Sequence, residues 1–199
     1  MMNQQNNTEM KRFFDSLAPH WDEGEVISEE GKRKLVSSLN IQKGDKVLDV
    51  ACGTGVISGL LQEITEEKVI GIDLSSEMIE RARNKYASNK NISFIEGDFL
   101  SYPFKENSFD FVIVYNAYPH FLDREGLKKA FSRVLKKGGR FAILHSLGRK
   151  ELECCHRGIT AISRPLDTPM KESEMYQDLF EIERAEEGPH HYLIVGRKK

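Results

Sequence analysis

The chain has 199 residues, about the length of one α/β domain, with 39% hydrophobic and 30% charged residues. Its 29 Lys and Arg against 31 Asp and Glu leave a net charge of −2, which excludes a broadly basic nucleic-acid-binding surface. No window holds the ~18 apolar residues of a membrane span, no secretory signal opens the chain, and three cysteines (two of them the adjacent Cys154 and Cys155) make no disulfide framework, so the cytoplasm is the expected compartment.

Residues 1–10, rich in Asn and Gln, are expected to be disordered, and residues 11–199 to form a single domain. Met10, Phe13, Phe14 and Leu17 fall at helical spacing until Pro19, with Trp21 just beyond, and a second helix carries Leu35, Val36 and Leu39. Lys46 to Val50 reads as a buried strand, followed by a Gly53/Gly55 loop and a helix through Ile57, Leu60, Leu61 and Ile64. A second strand runs Lys68 to Ile72, and Ser75 or Ser76 caps a helix with Met78, Ile79, Ala82 and Tyr86 on one face. Ile92 to Glu96 and Phe109 to Val114 are further strands. Asp123 caps a helix through Leu127, Ala130, Phe131, Val134 and Leu135, which Gly138 and Gly139 stop before a strand over Arg140 to Leu144. After a helix from about Arg149, Leu179 to Ala185 and His191 to Val195 flank Gly188-Pro189 as an antiparallel hairpin. Alternating strands and helices predict an α/β fold: a Rossmann-like, doubly wound, mostly parallel sheet whose ligand sits beyond the carboxyl ends of its strands.

The chemistry concentrates there. The first strand runs into Asp49-Val50-Ala51-Cys52-Gly53-Thr54-Gly55, whose glycines let backbone turn tightly against a ligand. Asp73 ends the second strand, where a carboxylate suits a ribose diol. A dinucleotide would want a third glycine where Ser58 stands, and Asp49 would repel its pyrophosphate. A ligand carrying ammonium and sulfonium charges would be attracted instead, and S-adenosyl-L-methionine has both. The alternative is that Asp49 only caps a turn through its own backbone. Glu96-Gly97-Asp98-Phe99 closes the third strand, and an acid there can accept from an adenine amine, although Gly97-Asp98 alone is an ordinary turn.

These segments in this order resemble the class I S-adenosylmethionine-dependent methyltransferases, in the small-molecule branch that includes the ubiquinone/menaquinone biosynthesis enzymes. The resemblance rests on Val47 to Gly55, Gly71-Ile72-Asp73-Leu74-Ser75, Gly97-Asp98-Phe99, Phe109 to Val112 and Arg133 to Arg140. Phe13 to Asp22 resembles that branch's N-terminal lid, so residues 11–40 would form a helical lid. The resemblance implies a seven-stranded sheet with its last strand antiparallel. It also implies that Asp49, Ala51, Gly53 and Gly55 approach the methionine part, Asp73 the ribose, Leu74 and Met78 the adenine faces, Asp98 and Phe99 the adenine edge, and Asn116 the methionine and acceptor side. Ala51 stands where the family often has glycine, and the short, polar stretch 164–178 leaves the substrate cap undefined.

Methyl transfer to an activated sulfonium needs alignment first and a base only if the acceptor loses a proton. His120 and His145 follow strands and are candidate bases or acceptor orienters; each could instead simply bond backbone at a strand end. Trp21, Tyr115, Tyr118 and His156 are candidate acceptor contacts. No ligand spacing points to a metal. The sequence therefore reads as a methyltransferase acting on a small-molecule acceptor with S-adenosyl-L-homocysteine as product, without nucleic-acid partners, as a monomer or homodimer. The alternative is a non-catalytic S-adenosylmethionine-binding sensor or partner module.

Overall fold

Short apolar runs form the strands β1 (Val47–Val50), β2 (Val69–Asp73), β3 (Ile92–Glu96), β4 (Phe109–Tyr115), β5 (Leu135–His145), β6 (Phe180–Gly188) and β7 (His191–Lys198). They make one seven-stranded sheet in the order β3-β2-β1-β4-β5-β7-β6 in a computed structural model that describes residues 2–24, 27–155 and 161–199. β1, β2 and β3 pair in parallel, as do β4 and β5, while β7 runs antiparallel to both β5 and β6. The expected Rossmann-like sheet, with its closing hairpin and antiparallel last strand, is the observed one. Among the described residues no helix is long and apolar enough to cross a membrane.

The chain divides into two compact units, Met1–Tyr102 and Pro103–Lys199. In the first, α1 (Met2–Leu17) leads through a 3-10 helix (Ala18–Gly24) to α2 (Glu29–Ser37), and α3 (Ser58–Thr65) and α4 (Ser76–Lys85) follow β1 and β2. Ser75 caps α4 by accepting from the Met78 amide at 3.1 Å. The disorder expected over residues 1–10 is not what the structure shows, since α1 begins at Met2. Long-range polar contacts from Lys11 and Asp15 tie this helix to the loop after β2 and to α4. Lys11 Nζ reaches the Leu74 carbonyl at 3.3 Å, Ser76 Oγ at 2.7 Å and Glu96 Oε1 at 2.9 Å. Asp15 accepts from Ser75 Oγ at 2.6 Å and from the Glu77 amide at 3.3 Å, a carboxylate at the positive end of α4.

In the second unit a 3-10 turn (Tyr118–His120) precedes α5 (Arg124–Val134), and α6 (Arg149–Cys155) and α7 (Pro169–Glu174) precede the hairpin. Asp123 caps α5 through the Gly126 amide at 2.8 Å. α5 stops at Val134, earlier than its apolar spacing predicts, because Leu135 is already extended and pairs with Phe109. The glycines then lie inside a bulge of β5. Gly138 takes φ +75°, and a Cβ on Gly139 would stand 3.0 Å from the Lys136 carbonyl and 3.1 Å from that of Asp110. The polar stretch 164–178 holds α7, with Thr168 as its cap and Pro169 in its first turn.

Candidate active site

β1 ends in a loop wound through left-handed backbone, with φ of 54° at Ala51, 54° at Gly53 and 75° at Gly55. Asp49 enters it 1% exposed. Its Oδ2 accepts from Ser58 Oγ at 2.6 Å, while Oδ1 is buried with no hydrogen-bond partner among the described residues. Burial pushes the Asp49 carboxyl up to about 7; the Ser58 hydroxyl draws it down and the charge of Asp73 pushes it up again. Asp73, at the end of β2, joins two loops: Oδ2 accepts from the Gly53 amide and Oδ1 from the Ser75 amide, each at 2.8 Å. Burial raises its carboxyl too, and backbone N–H groups of Ser75, Gly53 and Leu74 counter it.

Gly53 and Gly55 differ in what they leave room for. A Cβ on Gly53 would lie 3.4 Å from Trp21 Nε1 and 3.9 Å from Met78 Sδ, so the indole covers this glycine. A Cβ on Gly55 would meet Phe94 and Tyr86 ring carbons at 2.9 Å each. Gly55 therefore makes room for aromatic packing below the loop, a role the motif alone does not reveal.

Asp98, after β3, accepts at Oδ1 from the Leu100 amide at 3.0 Å and at Oδ2 from Ser101 Oγ and Asn7 Nδ2, both at 3.2 Å. The Asn7 amide thus holds the carboxylate oxygen expected to take an adenine amine. Phe99 is 4% exposed, Met78 is buried and Leu74 is half-buried. Trp21 packs edge-on against Phe14, with centroids 5.8 Å apart. Thr54 Oγ1 donates to Asp22 Oδ1, and Lys85 Nζ to Asp22 Oδ2 at 3.2 Å, pinning the lid segment to the glycine loop and to α4. The sequence gives Asn7, Lys11, Asp15 and Asp22 no visible role because the bonds that tie them to Asp98, Leu74, Ser75 and Thr54 span at least 32 residues of chain.

Among candidates in the second unit, Asn116 adopts φ 55°, and its side chain is bound to Ser146: Oδ1 accepts from the amide at 2.8 Å and Nδ2 donates to Oγ at 3.0 Å. It staples the carboxyl ends of β4 and β5. His120 is half-buried, with Nδ1 at 2.9 Å from the Ile162 carbonyl. A carbonyl only accepts, so Nδ1 carries a proton. His145, by contrast, is 0% exposed and lies edge-on to Tyr192, with centroids 5.9 Å apart; it is a core residue, because β5 and β7 enclose it.

Tyr118 is likewise in the core rather than on an acceptor pocket. It is 0% exposed, its ring lies under the Arg124 guanidinium at 4.1 Å, and its hydroxyl donates to Glu172 Oε2 at 3.1 Å while accepting from Tyr176 at 3.1 Å. Tyr115 is 7% exposed. His156 lies outside the described residues, and Cys154 is exposed. Among the described residues no group of His, Cys, Asp or Glu is placed to hold a metal ion.

The comparisons with known proteins fall on these elements. A family model described as a methyltransferase domain matches residues 47–139, from β1 into the bulge of β5. The match spans 93 of the 199 residues and makes this stretch similar to a methyltransferase domain. A demethylmenaquinone methyltransferase from Staphylococcus epidermidis is 34% identical over 151 residues, covering 72% of this chain and 63% of that protein. The chain thus spans a little under two thirds of the length of the curated relatives it matches. A crystal structure of a SAM-dependent methyltransferase from Aquifex aeolicus superposes with a TM-score of 0.70 at 21% identity, covering 84% of this chain and 89% of that one. The [4+2]-cyclase SpnF superposes with a TM-score of 0.77 at 16% identity, over 95% and 94% of the two chains. These two establish the fold, and the cyclase shows that the fold alone does not fix the reaction.

The cofactor that the sequence motifs lead one to expect is S-adenosyl-L-methionine. The residues present fit it. The buried Asp49 Oδ1 needs a donor that an ammonium supplies, and both oxygens of Asp73 keep lone pairs for a diol. A pyrophosphate would face a buried and a half-buried carboxylate instead. Trp21 is the single tryptophan of the chain and covers Gly53, so cofactor binding is expected to change its emission. A saturable fluorescence change on titration with S-adenosyl-L-homocysteine checks this, and a flat signal alongside calorimetric binding would place the cofactor away from Gly53.

Proposed function

We propose that the protein transfers a methyl group from S-adenosyl-L-methionine to a small-molecule acceptor, releasing S-adenosyl-L-homocysteine. The observation that carries this reading is the buried, unpartnered oxygen of Asp49 beside a glycine loop that a second carboxylate, Asp73, holds in place. The bound sulfonium supplies an activated methyl group, so the chain's work is binding, orientation and exclusion of water. In this reading Asp49 receives the ammonium, Asp73 the ribose hydroxyls, Leu74 and Met78 flank the adenine, and Asp98 with Phe99 meets its edge. Trp21 closes over the loop. Asn116 lines the methionine and acceptor side through its backbone, since its amide is engaged by Ser146. His120 orients the acceptor or takes its proton. Its place after β4 and the Ile162 carbonyl that holds its ring support that role. His145 has no such role here, because its ring is enclosed.

The relatives' name supports a demethylated quinone as the first acceptor to try. Asp73→Ala is expected to weaken cofactor binding at least tenfold, about 1.4 kcal/mol, by calorimetry. Wild-type affinity in this variant would remove Asp73 from the ribose. Incubating the protein with the donor and demethylmenaquinone or a metabolite extract then tests transfer. Appearance of S-adenosyl-L-homocysteine supports the reading, and tight binding without turnover on any acceptor would favour the sensor module.

A further inference from the structure

Gly59 and Tyr86 belong to no part of the cofactor motif, yet the structure joins both to it. Tyr86 follows α4, and its hydroxyl donates to the Gly55 carbonyl at 2.9 Å while accepting from the Gly59 amide at 3.3 Å. One hydroxyl therefore bridges the last glycine of the loop and the first turn of α3. Neighbouring glycines leave space for its ring. A Cβ on Gly59 would stand 2.9 Å from the hydroxyl, and one on Gly55 2.9 Å from the ring. The ring rests on Phe94, with centroids 5.7 Å apart, and packs on the buried cluster of Cys52, Ile79, Ala82, Ile92 and Phe94.

We propose that Tyr86 is a positioning residue for the cofactor: its hydroxyl fixes the Gly53–Gly55 loop in the shape that receives S-adenosyl-L-methionine. The inference rests on assigning that loop to the cofactor. Packing alone would be served by phenylalanine. The hydroxyl instead closes both of its hydrogen bonds on backbone at the two ends of the turn, and Gly53, two residues before Gly55, bonds Asp73. Releasing the carbonyl of Gly55 frees the turn that aligns the Gly53 amide with Asp73 and sets the depth of the floor under Trp21.

The test is calorimetric titration of the full chain, and of its Tyr86→Phe, Gly59→Ala and Asp73→Ala variants, with S-adenosyl-L-methionine and S-adenosyl-L-homocysteine. Thermal melts and amide hydrogen exchange over residues 53–59 accompany it. Tyr86→Phe is expected to lose about tenfold in affinity for both ligands and to exchange faster over 53–59, while melting within about 3 °C of the parent. Gly59→Ala keeps the phenol but displaces its hydroxyl. It should lose affinity to a similar degree although alanine favours the helix, and the double variant should be no worse than either single one. If Tyr86→Phe binds like the parent while Asp73→Ala is weakened, Tyr86 only packs and the inference is overturned. If Asp73→Ala also binds like the parent, the loop is not the cofactor site and both readings fall. Should Tyr86→Phe not fold, Gly59→Ala decides, and parental affinity there overturns the inference.

Discussion

Asp49→Asn is expected to make the unliganded protein more stable at pH 8 and to cost it cofactor affinity. Asparagine keeps an acceptor for Ser58 and removes a buried charge that has one partner. The sign follows from linkage. The folded chain holds the Asp49 proton up to about 7, whereas the unfolded chain releases it near 3.8, so wild-type stability falls as pH rises through that window and levels off above it. At ~1.4 kcal/mol per pH step, the gap amounts to roughly 4 kcal/mol at pH 8. The variant lacks this loss, so denaturant titrations should show its advantage growing from pH 5 to pH 8. Cofactor affinity should move the other way. The wild type must ionise Asp49 to meet an ammonium, so its affinity should rise with pH through about 7, while the variant should be weak, by tenfold or more, with no such rise. A variant that gains no stability at pH 8 would show that the Asp49 charge is not confined as the structure has it.

The largest loss of stability is expected from Arg124→Ala. Arg124 and Glu172 are 3% and 8% exposed and pair directly, and Glu172 also accepts from Tyr118 and, at Oε1, from the Asp167 amide at 3.1 Å. Burial would push the Glu172 carboxyl up, but the Arg124 guanidinium and these hydrogen bonds hold it below its ordinary range. Without Arg124 the carboxylate is buried with no counter-charge, at a cost of about 3–5 kcal/mol. That corresponds to a melting point lower by roughly 6–20 °C for a chain of this size. The deficit should shrink in acid, because Glu172 then protonates at a raised pKa. Arg124→Met/Glu172→Leu should recover most of it, since both charges leave together and Tyr118 keeps Tyr176 as partner. A double variant as unstable as the single one would assign the loss to the Arg124–Tyr118 stack instead.

The sheet and the glycine loop were legible in the sequence because their signals are local. Buried strands read as apolar runs, and Asp49, Gly53, Gly55 and Asp73 lie in or next to the strands they end. Ser75 and Asp123 were legible as caps for the same reason. What was not legible depends on distant partners. Tyr118 looks like a pocket aromatic until Glu172, 54 residues on, claims its hydroxyl. The polar start of the chain reads as disorder because Asn7 and Lys11 find their partners 63 to 91 residues away. The helix α7 was hidden by its poor apolar content, although Thr168-Pro169 is a cap followed by a first-turn proline. Tyr86 shows only its helical spacing, and nothing near it in sequence announces a bond to Gly55.

The aromatic floor beneath the glycine loop also bears on how substitutions combine. The room denied to a side chain at Gly59 is taken by the hydroxyl of Tyr86, and at Gly55 by the rings of Tyr86 and Phe94. A smaller residue at position 86 would lift the restriction at 59, whereas at 55 the positive φ would still demand glycine. Tolerance at 59 is therefore conditional on position 86. A scan of single substitutions would charge Gly59→Ala with a loss that disappears once the Tyr86 side chain is already cut back.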